Sequence, residues 1–289
     1  MGEVTIITLA DNCVVHSNHS ARGLLGEHGL SYLINFGGRN ILFDTGTGAT
    51  ILHNAKLLGV DWKTVDAIVL SHAHHDHTGG LEKVLSNTGD VIVHVHPDIF
   101  KPKYIISEGK EPRYNGLPRT REDYEKSGAI FKIREQLMEQ ICENIYMIGP
   151  IKRERPPEDE RTKDRFLKDG DQFITDPMHD EQVLAIRTSK GFVLILGCTH
   201  NGLINTVEQM LQVTGDRTIY GIIGGLHLCD TGRQQVKELA LWLNDLGVGM
   251  AGCSHCTGLE AIALFFEIMG HKAFFNHVGR RIVLPLTAK

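Results

Sequence analysis

The sequence predicts a mixed α/β protein with a charged segment inserted in its middle, and three observations carry that prediction. Apolar runs of strand length alternate with amphipathic stretches of helical length at both ends of the chain. One such strand leads directly into Ser71-His72-Ala73-His74-His75-Asp76-His77-Thr78-Gly79-Gly80, with four histidines and an aspartate in six consecutive positions. Three later apolar runs each end in a turn that bears a histidine.

The elements follow in order. Residues 4–9 form a strand, and a polar, glycine-rich loop over 11–29 separates it from the alternating run 30–36. Gly37-Gly38 turns the chain tightly into 39–44, which makes a hairpin. An amphipathic helix is expected over 49–58, stopped by Gly59, and the strand 66–70 carries the histidine cluster. A helix opens over 80–85, and 91–95 is the next strand. Residues 97–170 break the pattern with charge and proline, as in the run 152–161. We read 1–289 as one domain and 97–170 as an insertion or lid within it, since its apolar content is thin for a separate core. Alternation resumes near Gln182. The strand 192–197 ends in Cys198-Thr199-His200, the strand 218–223 in Gly224-Gly225-Leu226-His227, and the strand 248–251 in Gly252-Cys253-Ser254-His255-Cys256-Thr257-Gly258. Helices are expected over 203–211, over 233–246 and from Leu259.

Composition narrows the function classes. A chain of 289 residues with 42% hydrophobic content buries a large core. A net charge of −5 without a long basic block argues against nucleic-acid backbone binding. The opening residues have neither the charged-then-apolar design of a secretory signal nor the Ser or Thr at position 6 that myristoylation needs. No apolar run approaches a membrane span. Six scattered cysteines suit a reducing cytoplasm better than a disulfide framework. The expected partner is a small molecule, with no nucleic acid and no membrane; an oligomer is left open.

A strand that ends in this cluster delivers several imidazoles and a carboxylate to one point, which is what two divalent cations require. Imidazole nitrogen and carboxylate oxygen suit zinc first and admit manganese or iron. An extended start aims His72 and His74 at one ion, and the turn that follows aims Asp76 and His77 at the other. His75 is left for solvent or for support. The three downstream histidines lie at the carboxyl ends of strands, the edge where open α/β sheets place their sites. A solvated histidine-rich loop would explain neither the flanking strand nor the Gly79-Gly80 turn.

Phe43-Asp44-Thr45-Gly46 followed by the His72–His77 cluster resembles the metallo-β-lactamase fold superfamily, over most of the chain outside the insertion. The resemblance implies a four-layer αβ/βα sandwich with a binuclear metal site at one edge. It implies His72 and His74 as ligands of the first ion, Asp76 and His77 as ligands of the second, and Asp44 as a residue that holds them by hydrogen bonds. Asp11-Asn12, Glu27-His28-Gly29-Leu30-Ser31, Asp180-Glu181-Gln182, Gly197-Cys198-Thr199-His200 and His255-Cys256-Thr257-Gly258 are similar to one branch of that superfamily. Its archaeal members, called dihydropteroate-synthase-like, make a dihydropterin-ribofuranosylaminobenzene phosphate; many bacterial members are called metal-dependent hydrolases.

The chain departs from the superfamily pattern after the first cluster. Cys198 stands where a bridging aspartate is usual, and His200 is preferred as the ligand there because free cysteines are more often buried filler. His179 is the positional match to an isolated histidine ligand, beside Glu181, and neither is assigned. His255 is chosen over His227 as the last ligand, which leaves His227, with Asp76, for catalysis as a proton donor or substrate contact. His28, Arg119 and Arg121 are expected to bind an anionic substrate, and Lys101, Lys103 and Arg113 are further cations of the insertion. Cys253 and Cys256 form an isolated C-x-x-C read as incidental. His94 and His96 read as structural, and Cys13, His16 and His19 as a loop face near the site. The function expected is that of a metal-dependent hydrolase or phosphate-ester enzyme, pterin-related in the resembled branch. The alternatives are a di-iron redox protein of the same fold and a metal-binding protein without turnover.

Overall fold

The computed structural model describes residues 3–15, 23–134, 136–159 and 163–285, so His16 and His19 lie outside the described residues, as do Glu160 and Arg161 of the charged run. The chain opens with β1 (Glu3–Ala10), β2 (Ser31–Phe36) and β3 (Arg39–Phe43), an antiparallel meander in which Gly37-Gly38 makes the predicted turn. Helix α1 (Ile51–Leu57) crosses to β4 (Val65–Val69), which runs parallel to β3. A single helical turn, α2 (His75–Thr78), and α3 (Leu81–Thr88) then lead to β5 (Val91–Val95), parallel to β4.

The 97–170 segment is more ordered than its composition suggests. Short strands β6 (Lys103–Ile105) and β7 (Arg113–Tyr114) precede α4 (Arg121–Lys126), whose start is fixed by a Thr120–Asp123 capping box. Then β8 (Ala129–Ile133) adds to the edge of the first sheet, while β9 (Met138–Cys142) and β10 (Ile145–Ile148) begin the second. Its apolar residues are therefore placed against the parent sheets: Ile99, Leu117 and Tyr124 join the first core, and Ile145 and Met147 the core between the sheets. Only β6 and β7, with β11 (Arg165–Asp169) and β12 (Gln172–Thr175), form a small sheet of their own, ordered β12-β11-β6-β7.

The second sheet continues through β13 (Val183–Thr188), β14 (Gly191–Leu196), α5 (Leu203–Thr214), β15 (Ile219–Gly225), α6 (Arg233–Asp245), β16 (Met250–Ser254), α7 (Leu259–Met269) and β17 (Ala273–Phe275). The last strand, β18 (Arg281–Pro285), returns to pair antiparallel with β1 at the far edge of the first sheet. The result is the expected αβ/βα sandwich of two seven-stranded sheets.

Strand periodicity assigns the layers. Val4, Ile6, Tyr32, Ile34, Ile41 and Phe43 point inward and meet Leu184, Ile186, Val193 and Ile195 of the other sheet. Their neighbours Ile7, Leu9, Leu33 and Leu42 pack against the α1–α4 side, and Phe192, Leu194 and Leu196 against α5, α6 and α7. With both faces of each sheet covered, the strands read as nearly continuous apolar runs. The parallel pairs β3–β4 and β14–β15–β16 bring their carboxyl ends to one edge, where all the predicted ligands are found.

One buried ionic cluster ties the small sheet to that edge. Lys103 Nζ donates to Asp176 Oδ2 and Asp180 Oδ1, both at 2.7 Å, and all three side chains are buried. Burial works against the ammonium, but Asp180 and Asp176 more than offset it and raise its pKa. Lys103→Met would leave two buried carboxylates without their cation, so a loss of about 3–5 kcal/mol is expected in denaturant unfolding.

Candidate functional site

The site is built on loops at strand ends. Leu70 and Ser71 follow β4, and the extended stretch to His74 places His72 and His74 on one side before α2 turns Asp76 and His77 to the other. The ligand atoms fall into two groups. Nε2 of His72 and Nε2 of His200 each lie 3.0 Å from Nδ1 of His74. Beside them, Asp76, His77, Cys198 and His255 converge, with His77 Nε2 3.0 Å from Cys198 Sγ and His255 Nε2 3.2 Å from Asp76 Oδ2. His72 and His77, one from each group, have ring centroids 4.3 Å apart, so the two groups adjoin.

Three of the imidazoles, those of His72, His77 and His255, are set by a partner on the other nitrogen. Asp44 Oδ2 accepts from His77 Nδ1 at 2.7 Å and from Ser71 Oγ at 2.7 Å, while its Oδ1 accepts from Ser71 N. Ser71 Oγ in turn lies 2.9 Å from His72 Nδ1. Asn12 Oδ1 takes His255 Nδ1 at 2.8 Å, and Asp11 Oδ2 accepts from the His255 backbone N–H at 2.9 Å. Such partners fix tautomer and ring orientation, and so the direction of the free lone pair. Asp44, Thr199, His227 and His255 all have φ near +50 to +56°, a left-handed conformation that non-glycine residues adopt at a cost. These residues turn four strand ends inward at one place.

The protonation states match metal binding. Burial pushes the pKa values of His72, His74 and His200 well below the usual histidine range, and that of His255 down to about 4. These rings are therefore neutral at physiological pH, with lone pairs available. Burial opposes ionisation of Asp76, yet His77 and His255 hold its carboxyl well below the usual range. Burial is the largest influence on His77 and pulls it down, but Asp44 and Asp76 together more than offset burial and raise its pKa. Burial pushes the Cys198 thiol well up, so only a bound cation would make it a thiolate. The donor set, three imidazoles in one group and carboxylate, imidazole, thiol and imidazole in the other, fits two borderline divalent cations.

The Metallo-beta-lactamase superfamily model matches residues 25–207. The chain belongs to the metallo-β-lactamase superfamily. It is 33% identical to the 7,8-dihydropterin-6-methyl-4-(β-D-ribofuranosyl)-aminobenzene-5′-phosphate synthase of Methanocaldococcus jannaschii, with 96% of each chain covered. A second protein of that organism, uncharacterised, is 30% identical over 93% of this chain and 98% of its own length. A crystal structure described as a metal-dependent hydrolase of the β-lactamase superfamily superposes with a TM-score of 0.81 at 27% identity, covering 96% of this chain and 98% of that one.

Within this metallo-β-lactamase edge, His200 and Cys198 are not alternatives. The left-handed Thr199 between them sends His200 to the all-histidine group and Cys198 to the other. His179 is 62% exposed, lies 3.8 Å from Asp98, and stays away from both groups. Glu181 does not join either group; its two oxygens accept from the backbone N–H of His200 and Asn201, at 2.5 and 2.7 Å. Its neighbours serve the same edge, for Asp180 accepts from Ala73 N and Gln182 bonds the backbone oxygens of Leu70 and Ser71. His75 is exposed; His94 accepts from Arg134 and His96 from the Asp98 backbone, as structural histidines do.

Above the ligands lies a cavity of about 360 Å³, a size suited to a small molecule. His28 and His227 line it, and His28 Nε2 is 3.3 Å from Asp76 Oδ2. His227 packs 4.4 Å from His200, centroid to centroid, and its Nδ1 is 2.6 Å from Asp159 Oδ2. Arg119 and Arg121 do not reach this cavity: they pair with Glu82 and Glu125 on an exposed face beside α4. Lys101 pairs with Asp98, and Lys103 is spent in the buried cluster. The cavity's arginines are Arg113 and Arg165. Cys256 also lines it, with Sγ 3.3 Å from that of Cys198, whereas Cys253 lies in the helix-side core. The C-x-x-C spacing thus divides between site and core.

Two expectations follow. Asp44→Asn removes the acceptor that orients His77, and metal affinity in a chelator competition is expected to fall 10–100-fold. Cobalt-substituted protein is expected to show a sulfur-to-cobalt charge-transfer band that disappears in Cys198→Ser; an unchanged spectrum would remove Cys198 from the ligands.

Proposed function

We propose that the protein is a binuclear metal-dependent hydrolase whose substrates are small organic anions, phosphate esters foremost. The observation that carries this reading is the adjacency of the two ligand groups on the floor of one cavity. His72, His74 and His200 would hold one cation; Asp76, His77, Cys198 and His255 would hold the other. Bound there, the cations supply Lewis-acid polarisation of the substrate and an acidified water near neutral pH.

The protein's own groups do the rest. Asp76 accepts a hydrogen bond from the attacking water and fixes its direction toward the substrate. Asp159 holds His227 by Nδ1, which leaves Nε2 to give a proton to the leaving group. The segment that carries Asp159 is pinned to α5: Arg155 N donates to Asn205 Oδ1, and Glu158 accepts from Leu203 N at the helix start. The archaeal relative named as a synthase of a dihydropterin phosphate supports an aromatic, phosphate-bearing substrate, and the hydrolase-described structure supports the reaction type. We place the protein among soluble small-molecule enzymes of the cytoplasm; no helix among the described residues is long and apolar enough to cross a membrane, and all six cysteines are free.

The test is a panel of bis-p-nitrophenyl phosphate, phosphomonoesters, thioesters and lactones with zinc- and manganese-loaded protein. Turnover abolished by a chelator and restored by either ion is expected. No turnover with any ion would sink the reading, and iron absorption bleached by an electron donor would replace it with a redox function. His227→Ala is expected to lower kcat by 10²–10⁴-fold on substrates with poor leaving groups. The loss should be far smaller for p-nitrophenolate, which leaves without a proton.

A further inference from the structure

The small sheet presents one row of side chains to the metal cavity. Arg165 pairs with Ile105 across β11 and β6, and Ile105 pairs with Arg113 across β6 and β7. Residues directly opposite in antiparallel strands share a face, and all three line the cavity. The row reads cation, apolar, cation. Asn115, next along the same segment, lines it too.

Of the two arginines, Arg165 is the one that acts on the ligand histidines. Its charge is felt at both His74 and His200, where it adds to the effect of burial. Its side chain is 14% exposed and paired with Asp164 through Nη1, while its Nε is buried without a hydrogen-bond partner. A buried guanidinium N–H without an acceptor carries a desolvation cost that a bound anion would remove. Arg113, at the other end of the row, is exposed and makes no ion pair among the described residues. The row is tied to the ligand loop by hydrogen bonds. Lys103, on the same strand as Ile105, binds Asp180, which accepts from Ala73 N between His72 and His74. Asn115 O accepts from His75 N at 3.1 Å.

We propose that Arg165 and Arg113 form an anion subsite, separate from the metal ligands, that binds a phosphoryl group of the substrate while Ile105 packs its organic body. Two guanidinium groups suit a phosphomonoester dianion better than a monoanionic carboxylate, and guanidinium geometry matches phosphate oxygens two at a time. This rests on the metal-dependent reading for its substrate but not for its measurement, since the subsite belongs to the protein's own side chains.

The experiment is calorimetric binding of phenyl phosphate, benzoate and benzyl alcohol to wild type, Arg165→Met and Arg113→Met, each metal-loaded and chelator-treated. Elemental analysis and thermal midpoint serve as controls. Phenyl phosphate is expected to bind wild type about 10–100-fold more tightly than Arg165→Met, with a smaller loss for Arg113→Met and unchanged metal content in both. The Arg165 dependence should persist after chelation. Equal affinity of wild type and both variants, with metal content intact, overturns the subsite. Benzoate bound as tightly as phenyl phosphate, with the same Arg165 dependence, overturns the phosphoryl assignment. Failure of the hydrolase reading would appear elsewhere, as absent turnover with the Arg165 dependence still present.

Discussion

The segment Asp180-Glu181-Gln182 holds the site together. It bonds Ala73 N, the backbone oxygens of Leu70 and Ser71, and the backbone N–H groups of His200 and Asn201. These contacts join the ligand loop of the first sheet to that of the second, through main chain and not through the imidazoles. The rings are thereby free to point their lone pairs inward. Imidazoles packed this closely have little attraction of their own, and burial removes from His72, His74, His200 and His255 the charge that would otherwise drive them apart. The geometry is imposed from outside the cluster, by carboxylates that accept from backbone N–H groups and by Gln182, which donates to backbone oxygens.

The two ligand groups differ in kind. One is entirely imidazole; the other mixes carboxylate, imidazole and thiol. Hard oxygen and soft sulfur in the same group pull metal preference in opposite directions, so the two positions are chemically unequal. The carboxylate side also carries His28 and His255 around a single oxygen of Asp76, where the first group has no anion. A substrate bridging the two would meet an asymmetric field, with a direction built into it before it binds.

Much of this was legible in the chain. The α/β alternation follows from the apolar runs, the four-layer arrangement from the resemblance carried by Asp44 and the His72–His77 cluster, and His72, His74, Asp76 and His77 from their spacing after a strand. The strand-end rule found His200, His227 and His255. Other features depend on long-range pairing that no local pattern records. Cys198 and His200 separate only because Thr199 takes a positive φ. Arg165 and Arg113 come to one face through strands of two to five residues, too short to show strand periodicity, whereas Arg119 and Arg121 sit in an obvious charged stretch and pair with Glu82 and Glu125. Asp159 was hidden in a charged run that reads as a solvated surface. The 97–170 segment appeared too thin for a core because its apolar residues belong to cores it shares with both sheets.

The small sheet has a consequence for how such a protein changes over generations. The floor of the cavity comes from the ends of the large sheets, where altering one ligand disturbs loops clamped from several sides. The ceiling comes from three short strands joined to that floor through Lys103 and Asn115. Ile105 and its two flanking arginines line the cavity from a sheet whose outer strand, β12, is wholly exposed. Substitution in that row would alter which molecules are admitted while leaving the metal-binding machinery folded. On the proposed reading, chemistry and selectivity would lie on separate stretches of one chain, and the second could change while the first stayed fixed.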